Sequence, residues 1–338
     1  MNYNQNNRKG GLNWTAVKKG RGVYDEIREK GIRVPGQRQN WRMALKSNWQ
    51  LYLFVLPAVI YFFIFNYLPL YGIQIAFKDY KAVLGIAGSE WVGLKHFLKF
   101  FDAYYFKRLL LNTFSLNVLN LLFNFPVPVL LAILLNRIRN HKVQRAIQTT
   151  IYVPYFVSTI VLAGMMYIFL SPSSGIFNFA REAMGMAPVD FMSDAAAFRP
   201  IYIISTIWQS AGYGTILYIA TLTGVDPSLY EAAEIDGASI WQKIRYIDLP
   251  TLIPTAMMVF ILDCGKILNS NTDKVLAMQT PGNTPVSDVI GVYVYNVGLG
   301  SGQFSYTAAI GLFVNIINFI LIISVNKIAK KTANVGLF

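Results

Sequence analysis

Long apolar runs, separated by shorter polar segments, dominate this chain. Six of the runs are long enough to cross a hydrocarbon core of about 30 Å as a helix that rises about 1.5 Å per residue. The pattern therefore predicts an all-α membrane protein with a six-transmembrane-helix bundle. The predicted spans are residues 51–77, 109–135, 151–170, 201–223, 251–268 and 307–328.

Prolines are expected to modify two of these predicted spans. Pro57 and Pro69 lie in the first span, and Pro126 and Pro128 lie in the second. Because proline lacks a backbone N–H and its ring clashes with the preceding turn, each of them should bend its helix or end a turn.

The placement of lysine and arginine predicts the orientation in the membrane. These residues concentrate in the first 48 residues, in the loop after the second span and near the end of the chain. With six spans the three segments share one side, which the positive-inside rule makes cytoplasmic. We therefore predict a basic cytoplasmic arm (1–48), a six-span domain (49–331) and a cytoplasmic tail (332–338). The loop 226–250 then faces the cytoplasm as well.

Composition supports a membrane environment. The chain is 54% hydrophobic and only 14% charged, whereas soluble domains carry about 25% charged residues. The net charge of +13 lies in the arm and between the spans, which fits contact with membrane lipid and not with nucleic acid. One cysteine, Cys264, and two distant histidines, His96 and His141, offer neither an intrachain disulfide nor a metal site.

The loop 226–250 carries signals for two short helices. Asp226-Pro227 marks a helix start, because the carboxylate accepts hydrogen bonds from the first turn and proline suits the first helical position. Gly237 should break this helix after residue 235, and a second helix is predicted over 238–246. Asp248 is expected to cap the fifth span. An ordinary helical loop is an equally good interpretation of the pattern alone.

The chain contains no candidate nucleotide-binding segment. The phosphate-binding pattern Gly-x-x-x-x-Gly-Lys-[Ser/Thr] does not occur, and no polar segment is long enough to form an ATPase domain. An ATP-dependent step would therefore need a partner subunit that binds ATP and magnesium.

The loop resembles the coupling motif of the inner-membrane components of binding-protein-dependent ABC importers. In that family the segment forms coupling helices that dock in a cleft of the cytoplasmic ATPase. Here Glu231 matches the acidic residue that faces the ATPase, Gly237 matches the bend, and Ile244 stands where the family usually has Phe. The resemblance implies ATPase-coupling roles for Glu231, Ala232, Ala233, Asp236, Gly237, Ile244, Leu249 and Pro250.

The resemblance covers about residues 49–331. The segments Leu68-Pro69-Leu70-Tyr71-Gly72 and Ser305-Tyr306-Thr307-Ala308-Ala309 look like the carbohydrate-uptake branch, which includes the larger maltose permease subunit. Of the two, Ser305-Tyr306-Thr307-Ala308-Ala309 looks like a subgroup that takes up complex oligosaccharides, such as polygalacturonan fragments.

This resemblance implies a non-catalytic type I permease that binds no cofactor itself. It places the chain in the plasma membrane of a bacterium, with several spans and both termini in the cytoplasm. The implied partners are a second permease subunit, two cytoplasmic ABC ATPase subunits, an extracytoplasmic solute-binding lipoprotein and an oligosaccharide substrate.

Polar side chains in the fifth span are candidates for a substrate path. Charged groups inside a membrane cost roughly 2.5–3.5 kcal/mol on insertion scales, so a function is the default explanation for them. Asp263 and Lys266, followed by Asn269 and Ser270, are predicted to share one helical face. The alternative is an internal ion pair between Asp263 and Lys266.

The fourth span offers Thr206, Gln209 and Tyr213 on one face. By the resemblance, this is the sugar-contacting face of the maltose permease. Hydroxyl, amide and aromatic groups supply the hydrogen bonds and the flat surface that a sugar ring needs. Interhelical hydrogen bonding is the alternative role for these residues.

Two other function classes are disfavoured. An ion-coupled secondary transporter of sugars would need intramembrane carboxylates and usually has repeated halves, but Asp263 is the one clear candidate and no repeat is visible. A membrane-embedded enzyme would need a catalytic constellation, and the sequence offers no paired carboxylates, metal cluster or nucleophile–base pair.

Overall fold

The computed structural model of the protein describes residues 49–333 and 335–337. The predicted basic arm, residues 1–48, lies outside the described residues. The described residues fall into two compact units, one that ends at Leu70 and one that begins at Tyr71.

The first predicted span changes its winding along its length. An α-helix occupies Trp49–Phe62 and continues past Pro57. A π-turn at Phe63–Tyr67 and a 3-10 helix at Leu68–Phe77 follow it. Because Pro69 has no N–H to donate, the regular α-helical ladder ends ahead of it. The α-helix therefore continues through Pro57, and its winding changes from Phe63 onward, ahead of Pro69.

The second unit is almost entirely helical, which confirms the all-α prediction. The exception among the described residues is one small hairpin, in which Lys78–Asp79 pairs antiparallel with Glu90–Trp91. The α-helices are Gly85–Gly88, Lys95–Phe101, Phe106–Asn124, Pro126–Asn136, His141–Tyr152, Thr159–Phe169, Ile176–Ala183, Ala195–Thr223, Pro227–Ile235, Ile240–Lys243, Leu249–Cys264, Thr272–Met278, Thr284–Ser287, Ile290–Tyr295 and Phe304–Ala333.

Four helices of the described chain are long and apolar enough to cross a membrane, or five if one bent pair counts as a single span. The four are Trp49–Phe77, Phe106–Asn136, Ile240–Cys264 and Phe304–Thr332, which are the first, second, fifth and sixth spans below. The fourth predicted span lies in the 29-residue helix Ala195–Thr223, which is long enough but more polar.

The third predicted span is bent sharply, which corrects the expectation of one continuous helix. Its two parts, His141–Phe156 and Thr159–Phe169, meet at an angle of 95°. The first part ends as a 3-10 turn around Pro154. Ser158 then starts the second part, because its hydroxyl accepts a hydrogen bond from the Val161 N–H.

The fifth span begins and ends earlier than the predicted range 251–268. One apolar helix runs over Ile240–Cys264, with a π-turn at Ile244–Asp248. The second predicted loop helix is therefore the first part of this span and not a separate element. Asp248 lies in helical conformation inside it and makes no cap, which corrects the capping prediction.

The fourth span lies at the centre of the second unit and packs on the second, third and fifth spans. Glycines allow the close approach, because they carry no Cβ. A Cβ at Gly214 would lie 3.0 Å from the Pro128 side chain, and one at Gly212 would overlap the Ile151 carbonyl oxygen. One apolar cluster joins the loop ends of the spans and is called the loop-side cluster: Ala132, Ile133, Tyr218, Leu222 and Leu252.

Candidate substrate passage and coupling loop

Two adjoining cavities lie among the second, fourth and fifth spans. The smaller, of about 150 Å³, is mainly polar, and the larger, of about 540 Å³, is mainly apolar. Asn124, Phe125 and Asp263 line both. The smaller is also lined by Asn117, Asn120, Leu121, Lys266, Ile267 and Asn269, and the larger by Pro128, Tyr155, Ser210, Tyr213, Gly214, Ile216, Leu217, Tyr218, Ala220 and Val259.

Three asparagine side chains of the second span line the smaller cavity. Asn117, Asn120 and Asn124 lie three and four residues apart, so they share one face of the helix. The Asn120 Oδ1 atom is buried and has no partner among the described protein groups. Our sequence analysis missed these residues, although three asparagines at helical spacing inside an apolar run were a usable signal.

The two charged candidates of the fifth span both face this cavity. Asp263 and Lys266 are exposed within it and line its wall. The ion pairs of the described chain do not include one between them, so the proposed internal pair is not formed. Both charges therefore line the cavity without a direct ion pair, while the charge of Lys266 still acts on the Asp263 carboxylate.

The chain unwinds after Cys264, so Lys266, Asn269 and Ser270 lie on turns and irregular backbone. This corrects the prediction that they share a helical face with Asp263. Side chains from other spans replace the lost helical hydrogen bonds. Asn318 Oδ1 accepts from the Leu268 N–H at 3.1 Å, and the Asn117 amide donates to the Ile267 carbonyl at 2.9 Å and to Ser270 Oγ at 3.1 Å.

Irregular backbone at membrane depth is tolerated where protein groups satisfy it or where it lines a cavity. The stretch after Cys264 meets both conditions, because the side chains above satisfy it and Lys266, Ile267 and Asn269 line the polar cavity. The unwinding thus places Lys266 and Asn269 at the cavity, while side chains of other spans pair with the backbone of Ile267 and Leu268.

A pair of stacked tyrosines lines the larger cavity. The rings of Tyr155 and Tyr213 have centroids 3.9 Å apart and planes within 7° of each other. Tyr155 comes from the turn at the bend of the third span, a position that the sequence pattern did not identify. The pair offers a flat aromatic surface of the kind that sugar-binding sites use.

The other two candidates of the fourth span make contacts between helices. Gln209 Nε2 donates to the Val157 carbonyl at 2.8 Å, at the bend of the third span. Thr206 Oγ1 donates to the Tyr202 carbonyl and accepts from Lys274 Nζ, both at 2.7 Å. Neither lines the two cavities, so the interhelical alternative describes their observed contacts.

Lys274 is a buried cation that our sequence analysis missed. It is 2% exposed, and its ammonium group lies 5.0 Å from the centre of the Tyr202 ring. None of the ion pairs in the described part of the chain involves this lysine. Burial lowers the pKa of Lys274 from 10.5 to about 7.

The 226–250 loop begins as its capping signals predict. Asp226 Oδ1 accepts from the Ser228 N–H at 2.9 Å and starts the loop helix Pro227–Ile235. Gly237 has a φ of +72°, the left-handed conformation expected at the bend. Ser239 and Gln242 then form a reciprocal capping box at the start of the fifth span.

The outer face of this loop is unusually apolar. Large side chains stand out from it, namely Ile235 (87% exposed), Ile240 (63%), Trp241 (79%) and Tyr246 (70%). Exposed apolar patches of this kind mark interaction surfaces. The predicted coupling residues Glu231, Ala232, Asp236, Gly237, Leu249 and Pro250 are also exposed, Ala233 is half-buried, and Ile244 packs against the loop-side cluster.

The inner face of the loop is held by a buried carboxylate. Asp248 has no exposed surface. It forms an ion pair with Arg137 at the end of the second span, and Tyr230 of the loop helix donates its hydroxyl to Asp248 Oδ1 at 2.6 Å. This contact explains why Asp248 does not cap the helix.

Comparison with known proteins agrees with this architecture. Residues 110–334 match the family model described as "Binding-protein-dependent transport system inner membrane component". Protein LplB of Bacillus subtilis (strain 168) is 42% identical over 311 residues, which cover 92% of this chain and 98% of the relative. The polygalacturonan/rhamnogalacturonan transport system permease protein YteP of the same organism is 41% identical, covering 89% and 94% of the two chains.

A solved structure has the same fold. A bacterial ABC transporter involved in the import of the acidic polysaccharide alginate contains a chain that is 35% identical, with a TM-score of 0.80. The match covers 87% of this chain and 99% of that one. The type I permease fold is thereby established, and the chain is a multi-pass inner-membrane protein. It belongs to the family of inner membrane components of binding-protein-dependent transport systems and is a permease subunit of an ABC importer.

Proposed function

We propose that this permease carries oligosaccharides, and that the two adjoining cavities are part of their passage. The observation that carries the proposal is the shared wall of the cavities, where polar and charged groups meet an aromatic surface. A sugar presents hydroxyls at its edge and C–H groups on its faces, so it needs both kinds of lining.

The smaller cavity supplies the polar contacts. The Asn120 and Asn124 amides donate and accept hydrogen bonds, the Asp263 carboxylate accepts them, and the Lys266 ammonium donates them. The larger cavity supplies the flat surface through Tyr155 and Tyr213. The names of the relatives refer to polygalacturonan, rhamnogalacturonan and alginate, which supports an oligosaccharide as cargo.

The exposed loop is proposed as the docking site of a separate ATPase that binds ATP and magnesium, while this chain performs no catalysis. Its apolar outer side chains and Glu231 fit a surface that is covered in the assembled transporter. The loop and both termini then lie in the cytoplasm. A second permease subunit, two ATPase subunits and a solute-binding lipoprotein complete the complex. The alginate transporter was solved with a periplasmic protein bound to an alginate pentasaccharide.

The test is sugar-stimulated ATP hydrolysis by the complex, purified from the native membrane with its partners and placed in liposomes. The probes are oligosaccharides of galacturonate, alginate, arabinose and maltose, each supplied with the solute-binding protein. Stimulation by at least one of them is expected. Absence of stimulation by all four, in a complex that hydrolyses ATP, would argue against oligosaccharide transport.

Two variants test the passage itself. Asn120→Leu and Tyr213→Ala should reduce sugar stimulation and leave basal hydrolysis unchanged. Phe123→Ala is the control, because Phe123 lies on the same span as Asn120, is 51% exposed and does not line either cavity. An equal response of all three variants would place the passage elsewhere.

A further inference from the structure

The buried carboxylate of Asp248 and its half-buried partners Arg137 and Tyr230 form a cluster, called the Asp248 cluster. Each comes from a different element, since Arg137 follows the second span, Tyr230 belongs to the loop helix and Asp248 lies in the fifth span. The Asp248 carboxylate is fully buried, with one oxygen facing the Arg137 guanidinium and the other accepting from the Tyr230 hydroxyl at 2.6 Å.

The two partners of Asp248, Arg137 and Tyr230, also contact each other. The Arg137 guanidinium carbon lies 5.4 Å from the centre of the Tyr230 ring, within the range of a cation–π contact. Burial and the hydrogen bond to Asp248 raise the pKa of Tyr230 to about 12, so the hydroxyl keeps the proton that it donates.

A carboxylate without exposed surface is stable only while its partners stay in place. Separation of the loop helix from the fifth span would leave the buried Asp248 carboxylate without the Tyr230 hydroxyl. The buried Asp248 carboxylate, held by Arg137 and Tyr230 together, therefore resists relative motion of the three elements.

Apolar packing next to the cluster acts in the same direction. Ile244, one turn before Asp248, packs against the loop-side cluster of the second, fourth and fifth spans. Within the loop, Lys243 Nζ lies 2.7 Å from Glu234 Oε1 and ties the loop helix to the start of the fifth span. The inner side of the loop is thus fixed, and its outer side is free to meet a partner.

We propose that Arg137, Tyr230 and Asp248 are positioning residues that transmit displacement of the loop helix to the second and fifth spans. These spans carry Asn120 and Asp263, and Lys266 follows directly after the fifth span, so the same displacement reshapes the polar cavity. This inference rests on the proposed docking of the ATPase to the loop.

The first measurement is independent of the transported sugar. Spin labels are placed at Ser228→Cys on the loop helix and Leu134→Cys on the second span, two exposed positions, in a Cys264→Ser background that removes the chain's one cysteine. The label distance is measured in the complex without nucleotide and with ATP, magnesium and vanadate.

The linkage predicts one narrow distance distribution in both states, because the two labelled elements move as one body. In the Asp248→Asn variant the distribution should broaden and shift on nucleotide binding. A large shift in the unmodified cluster, or an Asp248→Asn distribution equal to it, would overturn the inference.

The second measurement is the amount of sugar transported per ATP hydrolysed. With the probe sugar that stimulates the unmodified complex most, Tyr230→Phe and Arg137→Gln should transport about tenfold less sugar per ATP, as expected for loss of one charge-assisted hydrogen bond. Arg139→Gln, an exposed position two residues from Arg137, is the matched control and should keep the normal ratio. A parallel loss of assembly and hydrolysis at a constant ratio would indicate a structural role only.

The outcomes separate the two proposals. If no probe sugar stimulates hydrolysis, the proposed cargo is wrong, and the label distances still decide the linkage. If a sugar stimulates hydrolysis and the Asp248 cluster variants couple normally, the cargo assignment stands and the linkage is wrong.

Discussion

Gly212 lies so close to the third span that we expect no side chain to be tolerated at this position. A Cβ at this position would overlap the Ile151 carbonyl oxygen and would lie 2.6 Å from its carbonyl carbon and 3.1 Å from its Cβ. Ordinary contacts of a Cβ atom begin near 3.4 Å, so Gly212→Ala must separate the two backbones by about 0.8 Å (3.4 minus 2.6) at the carbon alone.

The free-energy cost of this separation depends on the other contacts between the third and fourth spans. The Tyr155–Tyr213 stack and the hydrogen bond from Gln209 to the Val157 carbonyl lie beside Gly212 and would be loosened together. Overpacking costs typically about 1–3 kcal/mol, and the upper end applies because the obstacle is backbone. We expect an apparent Tm lower by about 6–10 °C.

The assay is thermal unfolding of the purified complex, followed by loss of its monodisperse peak. Gly164→Ala is the control, because nothing lies within 4 Å of a Cβ there and alanine stabilises a helix interior by about 0.5–1 kcal/mol relative to glycine. An apparent Tm for Gly212→Ala equal to that of Gly164→Ala would refute the packing argument.

Three further predictions concern single residues. The folded-state pKa of Lys274, about 7, lies below its ordinary 10.5, so the unfolded chain binds more protons between these values and stability should rise by up to about 1.4 kcal/mol per pH unit from pH 7 to 10. Melting curves of Lys274→Met should lose this slope, and an unchanged slope would assign it to another group. Glu231→Lys should abolish ATP-driven uptake while the protein stays in the membrane, whereas normal uptake would contradict a coupling role. Gly237→Ala, at a φ of +72°, should destabilise the loop by about 1 kcal/mol, measured as faster proteolysis at the loop.

The helical elements and the loop were predictable because their signals are local. Apolar runs marked every long helix of the described chain, and Asp226 and Gly237 set the start and the bend of the loop helix where expected. These features depend on a residue and its near neighbours along the chain.

Local sequence does not predict the conformation where distant partners decide it. The helix after Cys264 unwinds because Asn117 and Asn318 satisfy its backbone from other spans. Asp248 was predicted to cap a helix, since nothing in its local sequence reveals its ion pair with the distant Arg137. The bend of the third span could be predicted only in part. Pro154 is a local signal for a break in the helix, whereas the angle of the bend depends on packing.

The candidate passage shows the same division. Asp263, Lys266 and Tyr213 were found as polar or aromatic residues in apolar runs, and they do line the cavities. Thr206 and Gln209 gave the same signal and instead make contacts between helices. Pattern identifies which side chains need a partner, but only the fold tells whether that partner is protein or cargo.

The exposed Ile235 and Trp241 have a consequence for the cell. A newly inserted copy presents these side chains to the solvent until a partner covers them. Chaperones and proteases act on such surfaces. On the proposed assembly, unpaired copies are therefore removed, and the abundance of this subunit follows the supply of its ATPase.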